Sequence, residues 1–196
     1  MIRLSLIVVV AVSSAAVWDC RPLFAQTNQP SEFRILATSK TSTMEKELND
    51  AGEAGFRFHT VMGGDTAVGG SEVVAIVVRS GASKPRFSYK LLATTKTSTM
   101  EKELQEAGNA GYQYRGQTVF KSAFGGEEVV CILERDKDAD LRAFRYKLLA
   151  TTKTSTLQKE LQDAGAAGYE LLGMTVAKTA IGGKELVAIT RRTVVQ

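Results

Sequence analysis

The residues of this chain best suited to chemistry are a lysine followed by a run of hydroxyls. Lys40-Thr41-Ser42-Thr43 recurs as Lys96-Thr97-Ser98-Thr99 and again as Lys153-Thr154-Ser155-Thr156. Each run stands just ahead of an apolar pattern of helical period. It therefore sets a cation and hydroxyls beside the free backbone N–H groups and favourable dipole of a helix start, a cradle for phosphate, sulfate or an acidic glycan. Lys40, Thr41, Ser42, Lys96, Thr97, Ser98, Lys153, Thr154 and Ser155 are the candidate anion-binding residues. Two other uses compete for them. Ser42 with Glu45, Ser98 with Glu101 and Ser155 with Gln158 have capping-box spacing, in which hydroxyl and acid or amide satisfy opposite backbone donors. The lysines can also pair with Glu72, Glu128 and Glu185 at the start of a following strand.

Other chemistries lack their parts. His59 is the single histidine, so a histidine metal site or a catalytic triad has no set of partners. The paired glycines lie between strands rather than ahead of a helix, which excludes phosphate-loop and dinucleotide patterns. Lys46 with Asp50, Lys102 with Glu106 and Lys159 with Asp163 recur at four-residue spacing, as solvated helix pairs do. Cys131, in Val129-Val130-Cys131-Ile132-Leu133, reads as a small buried apolar residue, because its counterparts are Ala75 and Ala188. The sequence calls for no catalytic residue, no metal and no cofactor.

The elements that carry these residues repeat three times. Phe33-Arg34-Ile35-Leu36-Ala37-Thr38 returns as Tyr89-Lys90-Leu91-Leu92-Ala93-Thr94 and as Tyr146-Lys147-Leu148-Leu149-Ala150-Thr151. Each such strand leads into a helix beginning near Thr43, Thr99 or Thr156, with Met44, Leu48 and Ala51 and their equivalents on one face. The helix closes in Ala-Gly-x-Ala-Gly-aromatic, where Gly55, Gly111 and Gly168 suit a left-handed residue just past the last turn. Gly52, Gly108 and Gly165 fall inside the helix at a cost of about 1 kcal/mol against alanine, which a close approach to a sheet would explain. Two strands follow, joined at Gly69-Gly70, Gly125-Gly126 and Gly182-Gly183 and ending at Arg79, Arg135 and Arg192. The expected fold is α+β: three tandem β-α-β-β modules at 33–80, 89–136 and 146–196, joined by linkers 81–88 and 137–145. Each is an antiparallel three-stranded sheet in order 1-3-2 with one covering helix. The last strand is apolar on both faces, and one helix covers only one of them. The other face is expected to meet a neighbouring sheet, within the chain or across a homo-oligomer.

The strand Tyr-Lys-Leu-Leu, the helix end Glu160 to Leu172 and a final strand ending in arginine together resemble a small bacterial domain of unknown function. That domain has Leu-Asn-x-Leu-Gly-x-x-Gly-Trp-Glu-Leu at the helix end. Phe56, Tyr112 and Tyr169 replace its tryptophan, and only the third copy keeps the glutamate, as Glu170. The resemblance implies architecture and no particular activity.

The ends and the charge indicate where the protein works. Met1-Ile2-Arg3 precedes an apolar run from Leu4 to Trp18, and Leu23-Phe24-Ala25 precedes polar 26–32, which reads as a signal peptide, residues 1–25, cleaved after Ala25. The run of about 15 residues is short of the ~20 that span a bilayer, so no stable membrane span is expected after cleavage. Lipidation at Cys20 is the minor alternative; after cleavage at Ala25, Cys131 is the one cysteine of the mature chain, which excludes an intramolecular disulfide. The formal charge of +4 falls to +3 as Arg3, Asp19 and Arg21 leave. Acids and bases are interspersed, which argues against nucleic acid as a partner. The sequence is thus read as an exported, periplasmic or secreted, non-enzymatic repeat protein. Its expected partner is a protein, an envelope component or further copies of itself, and the alternative is an anion- or acidic-glycan-binding protein.

Overall fold

A computed structural model describes residues 31–66, 70–81, 83–121, 127–178 and 183–194. The signal segment Met1 to Ala25, residues 26–30 and the hairpin glycines Gly69, Gly125, Gly126 and Gly182 lie outside them. The elements run β1 (Ser31–Thr38), α1 (Thr41–Glu53), β2 (Arg57–Thr66), β3 (Gly70–Ser80), β4 (Phe87–Thr94), α2 (Thr97–Asn109), β5 (Gln113–Lys121), β6 (Glu127–Asp136), β7 (Phe144–Thr151), α3 (Thr154–Ala166), β8 (Glu170–Lys178) and β9 (Lys184–Thr193).

Three antiparallel sheets form, in orders β1-β3-β2, β4-β6-β5 and β7-β9-β8. The expected α+β modules are therefore present, each with its last strand central. Equivalent register recurs in each: Ile35 opposite Ile76, Leu91 opposite Ile132, Leu148 opposite Ile189. The second strand of each sheet slips by one residue, between Phe58 and Thr60, Tyr114 and Gly116, and Leu171 and Gly173. His59 is the extra residue of the first of these bulges, and its side chain is exposed.

The helices close as the glycines require. Gly55, Gly111 and Gly168 have φ of 81°, 80° and 79°. The N–H of the following aromatic returns to the carbonyl of Ala51, Ala107 or Ala164 at 2.9 to 3.0 Å, the bond of a Schellman ending. The strand-ending arginine completes this corner, since Arg79, Arg135 and Arg192 lie over the rings of Phe56, Tyr112 and Tyr169 at 4.6, 5.2 and 5.0 Å.

The helix starts correct the sequence reading. The helices begin two residues earlier, at Thr41, Thr97 and Thr154, and the cap positions are Lys40, Lys96 and Lys153, none with a side-chain capping bond. The hydroxyls of Thr38, Thr94 and Thr151 accept the lysine N–H at 3.1 to 3.3 Å. That turn fixes the lysine as the last extended residue, so Ser42 and its equivalents enter the first turn instead of capping it.

A second correction concerns the outer sheet faces. The face away from a module's own helix meets the preceding module in two ways: its sheet, through β2 against β5 and β5 against β8, as expected, and its helix, which was not expected. Met44, Leu48 and Ala51 of α1 share one core with Leu36, Val73, Ala75 and Val77 of their own sheet and with Tyr89, Leu91, Val130 and Ile132 of the next. Met100, Leu104 and Ala107 of α2 bridge Leu92, Val129, Cys131 and Leu133 to Phe144, Tyr146, Val187 and Ile189 in the same way. The physical reason is the small helix face: Ala51, Gly52, Ala107 and Gly108 let a second sheet close over a helix already lying on the first. Only beside the helix do sheets touch directly, where a methyl on Gly116 of β5 would sit 3.3 Å from Phe58 of β2. The molecule is a stack of sheet, helix, sheet, helix, sheet and helix.

Candidate functional site

The helix starts are the site the sequence proposed, and each remains a separate feature on its own layer. Lys40, Ser42, Lys96, Ser98, Lys153, Thr154 and Ser155 are exposed, and Thr41 and Thr97 are half-buried. Beside α2 the space next to Lys96 and Thr97 is lined also by Glu127, Glu185, Met100 and Val129 and measures about 10 Å³. That is room for about one water molecule, not for a phosphate. An adjoining open cavity of ≈ 350 Å³ takes in Thr97, Ser98 and Lys147, but also the carboxylates of Glu101 and Glu160. Carboxylates at the mouth oppose an anion. Among the described ion pairs none joins Lys96 to Glu128 or Lys153 to Glu185.

The acid half of the proposed capping box has other work. Glu45 Oε2 accepts the backbone N–H of Leu91 at 2.9 Å. One turn on, Asn49 accepts the N–H of Tyr89 at 2.9 Å and donates to its carbonyl at 3.0 Å. The pattern repeats a layer later. Glu101 accepts from Leu148 at 3.3 Å, while Gln105 accepts from Tyr146 at 3.1 Å and donates to the carbonyl of Phe144 at 3.1 Å. β4 and β7 are edge strands, and an unpaired edge invites further pairing. Here the preceding helix supplies side chains that satisfy it. The helix can come this close because it carries glycine. A methyl on Gly52 would lie 2.6 Å from the carbonyl oxygen of Phe87, and one on Gly108 2.6 Å from that of Phe144.

Buried polar groups bind the junctions further. The Tyr89 hydroxyl accepts the N–H of Phe58 at 2.8 Å and donates to Glu134 Oε2 at 3.1 Å. Glu134 is only 5% exposed and takes Arg57 through Nε and Nη2 at 3.1 and 2.8 Å. At the second junction the Tyr146 hydroxyl accepts from Tyr114 N–H at 2.8 Å and donates to the carbonyl of Tyr112 at 3.0 Å. Burial, followed by the charge of Glu134, pushes the Tyr89 hydroxyl above its usual range. Burial also raises Tyr114 and the fully buried thiol of Cys131. These shifts favour the protonated forms, opposite to what a general base or nucleophile needs.

A cavity of ≈ 760 Å³ runs along the second linker between Gly111, Gln113, Arg135, Lys137, Asp140 and Phe144. Its charges are of both signs, and Arg86 holds Asp136 on its wall. Among the described residues no group of three His, Cys, Asp or Glu side chains is placed to hold a metal.

The arrangement built most fully from these parts is thus a docking surface, used twice. Sequence reasoning did not identify Asn49 and Gln105, because a polar residue on a helix looks solvated whatever lies beside it. No protein-family model, no curated protein and no solved structure matches the chain.

Proposed function

We propose that the chain is an exported, non-enzymatic repeat protein that acts through its surfaces, as a structural or interaction element of the periplasm or the cell exterior. The observation that carries this reading is the placement of exposed apolar residues. At the first sheet Phe33, Ile35 and Met62 are 64%, 68% and 62% exposed, and beside the last helix Leu171, Met174 and Val176 are 53%, 58% and 51% exposed. Apolar patches of this kind mark interaction sites in a soluble protein. The raised tyrosines and thiol support the same reading, because they are set as packing groups. The alternative, anion binding at Lys40, Lys96 and Lys153, has carboxylates beside its second site, and the space next to Lys96 itself is too small for the ligand. Among the described residues no helix is long and apolar enough to cross a membrane.

A photo-crosslinking residue introduced singly at Ile35, at Met174 and at Asp50 in the source cells tests the reading. Protein adducts from the first two positions and none from the solvated Asp50 are expected. No adduct at either apolar end would overturn it. N-terminal sequencing of the exported form should begin at Gln26.

A further inference from the structure

The two apolar ends are the separated halves of one junction. Each junction inside the chain joins a helix, with its side strand, to the outer face of the next sheet. Among the described residues the stack has three helices and three sheets, so one helix, α3, and one outer sheet face, that of β1-β3-β2, are left over. Six of the seven large apolar residues exposed among the described residues lie on these two surfaces.

The leftovers match position by position. Phe33 and Ile35 stand where Tyr89 and Leu91 of β4, and Tyr146 and Leu148 of β7, receive a helix. Val74 and Ile76 beside them are only half-buried, whereas their counterparts Val130 and Ile132 are fully buried under α1. On α3, Gln158 and Gln162 stand where Glu101 and Gln105 hold the edge of β7, and both are exposed. Leu161 is half-buried where Leu48 and Leu104 are fully buried. Gly165 keeps the glycine that admits a strand, yet a methyl there would meet nothing within 4 Å. On β8, Leu171, Met174 and Val176 stand where Phe58, Val61 and Gly63 of β2 meet β5. A methyl on Gly63 would strike the carbonyl of Val119, which shows how close that contact is.

We infer that the outer face of the first sheet of one copy docks on α3 and β8 of a second copy, continuing the stack between molecules. This rests on the surface-acting reading above and names its partner as another copy of this chain. Gln162 pairs with the backbone of Phe33 as Gln105 does with Tyr146, and the helix closes on the strand at Gly165. The contact is heterologous, so it generates a ring if the rotation closes and a filament if it does not. One feature makes it weaker than the junctions within the chain. Phe33 lacks the hydroxyl through which Tyr89 and Tyr146 take the N–H of Phe58 and Tyr114, so Leu171 N–H gains no such acceptor. Association is consequently reversible and concentration-dependent.

Sedimentation velocity of the purified three-module chain from Gln26 tests the inference. The wild type should grow in mean mass with concentration. Ile35→Lys and Leu171→Lys, both at exposed positions that leave folding intact, should each be monomeric alone, while their equimolar mixture gives a heterodimer through the one intact pair of ends. Gly165→Ala should abolish association although it adds an apolar group, whereas non-specific apolar clustering would survive it. A wild type monomeric at every concentration overturns the inference. So does Leu171→Lys dimerising alone, which would set two first sheets face to face, or Gly165→Ala associating like wild type. If the pure chain stays monomeric while Ile35 still crosslinks to a different protein in cells, self-association falls and the surface-acting reading stands. If neither occurs, both fall.

Discussion

Gly108→Ala puts the stacked architecture to its sharpest test, because helix propensity and packing predict opposite signs. On a solvated helix the change would stabilise by up to about 1 kcal/mol. Here the new methyl would sit 2.6 Å from the carbonyl oxygen of Phe144 and 2.8 and 2.9 Å from two ring carbons of Tyr146. Neither neighbour yields easily. The carbonyl is bonded to Gln105, and the ring is fixed through its hydroxyl to Tyr112 and Tyr114. Overpacking of a closed site costs about 1–3 kcal/mol, and strain on the two Gln105 bonds adds roughly 1 kcal/mol. Set against the helix gain, the net loss is about 1–3 kcal/mol. For a chain of this size each kcal/mol moves the melting temperature by about 2–4 °C. The control is Gly165→Ala at the equivalent place on α3, where nothing lies within 4 Å. Measured at dilutions where copies are dissociated, it should be neutral or up to about 1 kcal/mol more stable. Urea denaturation of both variants and the wild type decides the matter. Gly108→Ala matching or exceeding the wild type would refute the close approach of α2 to β7.

Ser98→Ala should leave stability within about 0.5 kcal/mol of wild type, since Ser98 caps nothing, whereas Gln105→Ala should cost roughly 1–2 kcal/mol by freeing two edge groups of β7; equal effects in urea melts would contradict this. Stability should fall as pH rises above about 10. Burial holds the Tyr89, Tyr114 and Tyr146 hydroxyls above their ordinary range, so the unfolded chain releases protons that the folded chain keeps. Each adds a slope of up to about 1.4 kcal/mol per pH unit, present in full below pH 10 and lost above it, and Tyr89→Phe should flatten the slope in urea melts repeated at successive pH values. The middle module alone, Phe87 to Asp136, should fail to fold or should self-associate, as one face of its sheet loses α1 and β2 while the outer side of its own helix α2 loses β7. A stable monomer by sedimentation and calorimetry would show that the modules are independent.

What was legible in the sequence was whatever one module decides by itself. The 1-3-2 order follows from a strand, a helix and two strands sharing one apolar face, and the helix ends follow from Gly55, Gly111 and Gly168, whose conformation is local. Cys131 was legible because alanine replaces it in the other copies. What was lost lay between modules. Glu45 has capping-box spacing, yet Leu91 of the next module takes its carboxylate, and spacing along one segment cannot register a competitor that arrives from another. Gly52 was expected to signal a close sheet, and it does, but the strand it admits is β4 of the following module and not its own. The two apolar faces of β6 required a second cover, read as a neighbouring sheet, and they could not show that the preceding helix shares that place with the sheet. The candidate anion residues were found correctly as residues at helix starts. Of the carboxylates around the second site, Glu160 and Glu185 come from the following module, which spacing within one copy does not show.

The load on the three helices explains why the ends of this stack differ from its middle. A helix clamped between two sheets buries apolar side chains on two sides, and each fully buried leucine or methionine contributes about 1.5–3 kcal/mol. On that scale α1 and α2 each have two such residues at full burial, Met44 with Leu48 and Met100 with Leu104. On α3, Leu157 is buried but Leu161 is only half-covered, so it is held from one side. Repeat arrays ordinarily finish in modules with a polar outer face, because stability there is a sum of neighbour contacts and the last neighbour is water. The described stack keeps the apolar pattern on both of its outer surfaces: Ile35 occupies the place of Leu91, and Leu171 that of Phe58. A polar residue at either place would cost the isolated chain little in packing, since both side chains are more than half exposed. Holding them apolar gains free energy only when something covers them, and the stack itself presents the surface that fits.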